Sequence, residues 1–286
     1  GIREAHMAMF ARSKLLSPTL LLLLIIGTAH RYGVSGSTFM LQVPRHDSTM
    51  PLAVTACPAT IAFGMIMQCA ISTAGESDRF SFNGAGNDRL MVRVARITGE
   101  LNPAVHIYNS AGRKVCSEFT SDNIVDINNC RLPGDDQYRL VVEDTYQTES
   151  GDYHLYVQRL NNPGNARSIA FGETLAGRID LIAEADTFTF AGLGGVSIRV
   201  TMTRTSGDLR PRIRLYAADG TLLCSAFSSA QTTEIGSCTL PQAARYTLIL
   251  DDTGGRTGAY EVSLACLDNE CALRMNLKVY LPGVSK

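Results

Sequence analysis

A block of this chain returns 108 positions later. Ile61-Ala62-Phe63-Gly64 reappears as Ile169-Ala170-Phe171-Gly172, and Asp78, Phe80, Phe82, Gly84 and Gly86 reappear as Asp186, Phe188, Phe190, Gly192 and Gly194. The register holds without a gap from Ile61/Ile169 to Thr145/Thr253, with roughly a third of the positions identical. A single deletion then aligns Gly151-Asp152-Tyr153 with Gly258-Ala259-Tyr260. Each copy spans about 100 residues, the ordinary size of one domain, so the chain reads as two similar domains in tandem and not as a solenoid of small units. The expected boundaries are 57–160 and 169–267, joined by a polar Pro/Gly linker at 161–168. That linker is short, so the two domains are expected to touch or to sit at a restricted angle.

Within each copy the apolar residues recur at every second position. Asp78-Arg79-Phe80-Ser81-Phe82 and Leu90-Met91-Val92-Arg93-Val94 alternate, as do their counterparts Thr187 to Phe190 and Ile198 to Met202. Val105 to Tyr108, Tyr138 to Val142 and Tyr153 to Val157 continue the pattern, with turn residues between runs at Asn83-Gly84, Ser110-Ala111-Gly112, Pro133-Gly134 and Asp219-Gly220. Short alternating runs separated by such turns are the mark of an antiparallel β-sandwich. The fold class is all-β.

The N-terminus is a separate object. Arg12 and Lys14, an apolar run from Thr19 to Ile26 and then Gly27-Thr28-Ala29 are the parts of a secretory signal peptide, with cleavage expected after Ala29. The apolar stretch, about 15 residues, falls short of the roughly 20 that a spanning helix needs, so no stable membrane span is expected after cleavage. Residues 1–29 are therefore read as signal peptide with upstream residues, 30–56 as a leader in which Phe39 to Val43 forms an extra strand, and 268–286 as a C-terminal tail or edge strand. Location is expected to be secreted or at the cell surface, with the periplasm as the alternative. Basic and acidic residues nearly cancel, 26 against 27, and neither sign forms a long run, which excludes the basic face of a nucleic-acid binder.

Eight cysteines fit an exported chain. Cys116 and Cys130 map onto Cys224 and Cys238 at the repeat offset, which predicts one disulfide inside each domain. Each pair flanks an expected hairpin tip, Ser121-Asp122-Asn123 in the first copy, where opposed strand positions come within disulfide reach. Cys57, Cys69, Cys266 and Cys271 lack repeat partners. Local pairing, 57–69 and 266–271, is the simplest of their three connectivities. No C-x-x-C or histidine at ligand spacing supports zinc instead.

With these motifs in view, each copy resembles the bacterial pre-peptidase C-terminal domain, a jelly-roll-like β-sandwich found beside secreted peptidase catalytic domains. The resemblance runs through Asp78-x-Phe80-x-Phe82, Leu90-x-Val92-x-Val94, Gly99-x-Leu101-x-Pro103, Ile107-Tyr108, Leu132-Pro133-Gly134, Tyr138-x-Leu140-x-Val142, Asp144 and Gly151-x-Tyr153-x-Leu155. In the second copy it rests on Asp186-x-Phe188-x-Phe190, Gly207-x-Leu209-x-Pro211, Leu215-Tyr216, Leu240-Pro241, Tyr246-x-Leu248-x-Leu250, Asp252 and Gly258-x-Tyr260. The full expectation is two tandem antiparallel jelly-roll-like β-sandwich domains after a signal peptide. The resemblance implies a non-catalytic domain that assists the secretion, localisation or substrate engagement of an enzyme, and the cysteine pairs depart from the family's usual pattern.

No catalytic constellation emerges. His6, His30 and His46 precede the first copy, while His106 and His154 sit within strands at positions expected to face solvent. None has metal-ligand spacing, and Gly33-Val34-Ser35-Gly36 fails as a nucleophile elbow. No cofactor is expected. The acidic neighbours Asp135-Asp136, Glu143-Asp144 and Asp251-Asp252 are weak calcium candidates, because loops rich in carboxylates can supply its six to eight oxygens. Asp144 and Asp252 have a competing role as turn residues that bond their own backbone. Sugar binding would need exposed planar aromatics; the chain has no Trp, most Tyr and Phe fall on expected core faces, and Tyr32 and Tyr146 are left over. The leading expectation is thus a secreted, non-catalytic binding or adhesion module for an extracellular polymer, protein or cell surface. The alternatives are an accessory partner of a secreted peptidase and an envelope structural protein.

Overall fold

The computed structural model describes Cys57 and residues 59–268. The expected signal peptide, the leader with its expected extra strand, Tyr32, Cys271 and the tail beyond Asp268 lie outside the described residues. The first copy forms eight strands: β1 (Ile66–Ile71), β2 (Ser77–Gly84), β3 (Arg89–Arg96), β4 (Pro103–Tyr108), β5 (Lys114–Phe119), β6 (Ile124–Arg131), β7 (Asp136–Asp144) and β8 (Gly151–Arg159). They assemble into two four-stranded sheets, ordered β1-β8-β3-β6 and β2-β7-β4-β5. The second copy adds β9 (Arg167–Ser168), β10 (Thr174–Ile179), β11 (Ala185–Gly192), β12 (Ser197–Arg204), β13 (Pro211–Tyr216), β14 (Leu222–Phe227), β15 (Thr232–Thr239), β16 (Ala244–Asp252) and β17 (Gly258–Cys266). Its sheets are β10-β17-β12-β15 and β14-β13-β16-β11-β9, the same order with one short strand added. Among the described strands only β9 pairs in parallel, with β11 through Ser168 and Thr189; the first copy keeps the counterpart as an isolated parallel bridge from Thr60 to Ser81. Each copy is a jelly-roll-like sandwich, and no helix among the described residues is long and apolar enough to cross a membrane.

The two-residue period explains the cores. Phe80, Phe82, Leu90, Val92, Val94, Leu140 and Val142 point between the first pair of sheets, and Phe188, Phe190, Ile198, Val200, Met202, Leu248 and Leu250 between the second. Phe82 stacks on Tyr138 with ring centroids 5.5 Å apart, and Phe190 on Tyr246 at the same spacing. Each tyrosine hydroxyl donates 2.6 Å to a turn carbonyl, Gly134 O and Gln242 O respectively, so its polar end is satisfied while the ring is buried. Burying one such ring contributes about 1.5–3 kcal/mol. Gly99 and Gly207 show why the G-x-L-x-P motif recurs. Both have positive φ, 72° and 74°, and both press against the carbonyl before the Gly151 or Gly258 turn, leaving no room for a Cβ.

The repeated disulfides form, but not across hairpins. Cys116–Cys130 and Cys224–Cys238 close with Cα atoms 5.9 and 6.3 Å apart. Cys116 lies on β5, at the edge of one sheet, and Cys130 on β6, at the edge of the other. Each bond therefore staples the two layers at their open side. Alternation marks the strands but carries no information on whether successive strands pair or cross between sheets, which is why the hairpin expectation fails. Cys57–Cys69 also forms, tying the entry of the first sandwich to β1. Cys266 is disulfide-bonded as well.

Both sandwiches belong to one compact unit, and they touch through whole sheet faces. On β3 and β8 nearly every residue is buried, inward and outward alike, whereas their counterparts β12 and β17 alternate between buried and open positions. The outward Met91 and Tyr156 of the first sandwich pack with Ala185, Tyr216 and Ile249 of the second. Gln158 Nε2 donates 3.0 Å to Thr187 Oγ1, and the Tyr156 hydroxyl meets the same oxygen at 3.1 Å. His154, expected at a solvent-facing position, is buried in this contact, its Nδ1 2.9 Å from Ile182 O. Its side is the outward one, as alternation requires, but the second sandwich covers it. His106 is also largely covered and lies 3.3 Å from Glu143.

Candidate functional site

The sheet contact brings together charges that the sequence scatters. Arg93 leaves the outward face of β3, Asp126 that of β6, Arg212 and Arg214 that of β13, and Asp251 that of β16. Arg212 grips Asp251 through two parallel bonds, Nε to Oδ1 at 2.6 Å and Nη2 to Oδ2 at 2.9 Å. Arg214 Nη2 also donates to Asp251 Oδ2, and Arg93 Nη1 reaches the same oxygen at 3.1 Å from the other sandwich. Arg93 further donates to Asp126 Oδ1 at 2.8 Å and to the Asp252 carbonyl at 3.1 Å. Charge-assisted, bidentate bonds of this kind are the strong ones. Burial alone would raise the carboxyl of Asp251, which is fully enclosed, but Arg214, Arg93 and Arg212 outweigh it and hold it at about 2. Burial likewise works against the charge of Arg212, and Asp251 and Asp126 more than reverse it, so its pKa is raised. Three guanidiniums face two carboxylates, and the cluster keeps one positive charge in excess.

Beside the cluster a cleft of about 390 Å³ opens between β6 and the β13–β14 edge. That is within the size range of small-ligand sites. Its wall carries Arg212, Arg214, Asn128 and Asn129, and its lip Leu222 and Phe227. Phe227 is 74% exposed, the most open large apolar side chain among the described residues. Arg214 is only 5% exposed, and its Nε has no hydrogen-bond partner. Asn128 Oδ1 accepts from Arg214 Nη1 at 2.6 Å, and Asn129 Oδ1 accepts from Arg89 Nη1 at 2.9 Å. Their oxygens are thus engaged, and neither NH2 group meets an acceptor among the described residues. Among the described residues no carboxylate lines the cleft, and Tyr216 and Ser225 complete its polar lining. The arrangement offers hydrogen-bond donors beside an open aromatic ring, with no nucleophile paired to a base.

The acidic residues singled out in the sequence do not converge. Asp144 accepts from the amides of Asn102, Tyr146, Thr148 and Glu149, at 2.8 to 3.4 Å, and Asp252 from those of Arg210, Gly254 and Arg256. These are the same turn in the two copies. Burial would raise the Asp144 carboxyl, but its amide partners lower it below the usual range. Asp135 accepts from Gly86 N at 2.6 Å, and Asp136 from Ser110 N at 3.0 Å, with Ser110 the main cause of its lowered pKa. Glu143 pairs with His106, and Asp251 belongs to the arginine cluster.

Phe119 and Phe227 escaped the sequence reading, which placed most phenylalanines in the core. They are repeat counterparts, 66% and 74% exposed. A signal was present: each lies three residues after a cysteine whose disulfide points inward, and an odd spacing on a strand puts it on the opposite face. Tyr146, left over from the core in that reading, is 64% exposed.

No family profile and no curated protein matches this chain. Among solved structures it is similar to the pre-peptidase C-terminal domain of a collagenase from Bacillus anthracis, at 20% identity over 36% of this chain and 98% of that one, with a TM-score of 0.31. The PBSX exported protein XepA matches at 11% identity over 72% of this chain and 88% of that one, TM-score 0.26. Tandem CBM51 modules of a family 98 glycoside hydrolase from Streptococcus pneumoniae match at 9% identity over 74% and 89%, TM-score 0.23.

Proposed function

We propose that this chain is an extracellular, non-catalytic binding module that holds a segment of a polymer in the cleft between its two sandwiches. The observation that carries the reading is Phe227, an open aromatic lip directly beside a wall of arginine and asparagine donors. A ring left in water at that position has no role in the core, and an aromatic next to polar donors is the usual anchor of a recognition site. The signal-like N-terminus and the disulfides support an oxidising, external location.

The test is retention of the disulfide-oxidised chain on insoluble polysaccharides, collagen and cell walls. Wild type is expected to show saturable retention on one of them. Phe227→Ala should weaken it about tenfold or more, the scale of a central anchor, while Phe119→Ala, its counterpart on the first sandwich, should leave it nearly unchanged. Equal binding by wild type and Phe227→Ala would remove the cleft from consideration.

A further inference from the structure

The donor inventory of the cleft goes further than the presence of a binding site. We infer that the cleft accepts an anionic sugar unit, with the acid group against Arg214 and Arg212 and the sugar ring on Phe227. This rests on the reading of the cleft as the binding site.

The charge of the lining is one-sided. Arg212 and Arg214 line the cleft with their guanidiniums, and Arg214 is held nine-tenths buried in its wall. The NH2 groups of Asn128 and Asn129 are oriented for acceptors by the guanidiniums that hold their oxygens. Asp251 and Asp126 are consumed within the cluster, so nothing in the wall repels an anion and one positive charge is uncompensated. A ligand complementary to this wall is rich in acceptors and negatively charged. A sugar acid meets both requirements, and the flat Phe227 ring with Leu222 beside it suits the apolar face of a pyranose better than a flexible acidic side chain. The first sandwich supplies an internal contrast: Ala104 and His106 stand at the positions of Arg212 and Arg214, so only the second sandwich carries the guanidiniums.

The test compares binding of the full chain to polygalacturonate, to the same polymer with its carboxyls reduced to alcohols, to dextran sulfate and to polyglutamate, by affinity electrophoresis at low and high salt. The expected result is at least tenfold tighter binding of polygalacturonate than of its reduced form, with the preference shrinking as salt screens the charge. Dextran sulfate binding alongside would extend the site to any anionic sugar, and its failure would narrow the site to carboxylates; both support the inference. Asn129→Ala, which touches no ion pair of the cluster, should reduce polygalacturonate binding several-fold without loss of fold. Equal binding of the charged and reduced polymers, both lost with Phe227→Ala, would overturn the inference and leave the binding-module reading intact. Preference for polyglutamate over every sugar polymer would overturn the sugar class. Failure to bind any of them, or any matrix of the retention assay, would overturn both.

Discussion

Asp251 and Glu143 occupy the same position in the two copies, and the structure predicts opposite consequences for neutralising them. Asp251 is fully buried and receives bonds from Arg93, Arg212 and Arg214. Asp251→Asn keeps its shape but leaves three guanidiniums against Asp126 alone, so the enclosed excess rises from one positive charge to two. One charge pair at about 4 Å is worth roughly 4 kcal/mol at the effective dielectric of a protein surface. Breaking a buried pair on one side costs about 3–5 kcal/mol. Glu143 meets only His106, at 3.3 Å, with a quarter of its side chain open to solvent, and Glu143→Gln should cost less than about 1 kcal/mol. At about 2–4 °C per kcal/mol for chains of this size, the melting temperatures should fall by roughly 6–20 °C and by less than about 4 °C.

The assay is thermal and guanidinium unfolding of wild type and both variants, with acid titration as a second axis. The Asp251 carboxyl is held at about 2 against an ordinary 3.8. A depressed folded value means that the unfolded chain takes up the proton first. The stabilisation is therefore complete above pH 3.8 and disappears as the pH falls through about 2. Asp251→Asn should lack that acid step. Equal losses for the two variants, or a loss below about 1 kcal/mol for Asp251→Asn, would refute the idea that the arginine cluster holds the sandwiches together.

Two further outcomes follow from the packing. Replacing Cys116 and Cys130 by alanine should cost about 3 kcal/mol by loop-closure entropy, and the Cys224/Cys238 replacement a similar amount, because both close 14-residue separations between the same pair of layers; guanidinium midpoints would show it. His154 is held below its ordinary 6.5 by burial, with the Ile182 carbonyl and Asp152 acting weakly the other way. A depressed histidine leaves the folded chain neutral where the unfolded chain is protonated, so wild type should lose stability as the pH falls below 6.5 and His154→Gln should lose less over the same window, read as melting temperature against pH.

The repeat made the fold readable because the core positions of the two copies agree: Phe80 and Phe188, Val92 and Val200, Leu140 and Leu248 each face inward under the same alternation. The site was hidden for the converse reason. Docking uses outward positions, and there the copies diverge. Met91, Arg93, Ala95 and Tyr156 stand on the first sandwich where Arg199, Thr201, Thr203 and Ser263 stand on the second, and the second set is solvated. On the opposite sheets, Arg214 and Asp251 replace His106 and Glu143. A period of two says which face a side chain takes, but not what covers that face, so Arg93 looks like any solvent-facing strand residue until its partners from β13 and β16 arrive.

The divergence itself nevertheless carries information. Two copies of one fold share the demands of their cores and their turns, so Asp144 and Asp252 remain because both cap the same turn, and Gly99 and Gly207 because both turns forbid a Cβ. Positions that differ between copies while staying buried in one of them must answer to something that only one copy touches. Met91 and Ala95, apolar and buried on an outward face where the counterparts are Arg199 and Thr203, meet that criterion and point to the sandwich contact. Arg212 and Arg214, charged where the first copy has Ala104 and His106, meet it too. Part of their difference is explained by Asp251 and Asp126. The positive charge left over is the part that packing between the sandwiches does not explain, and Arg212 and Arg214 bring it to the wall of the cleft.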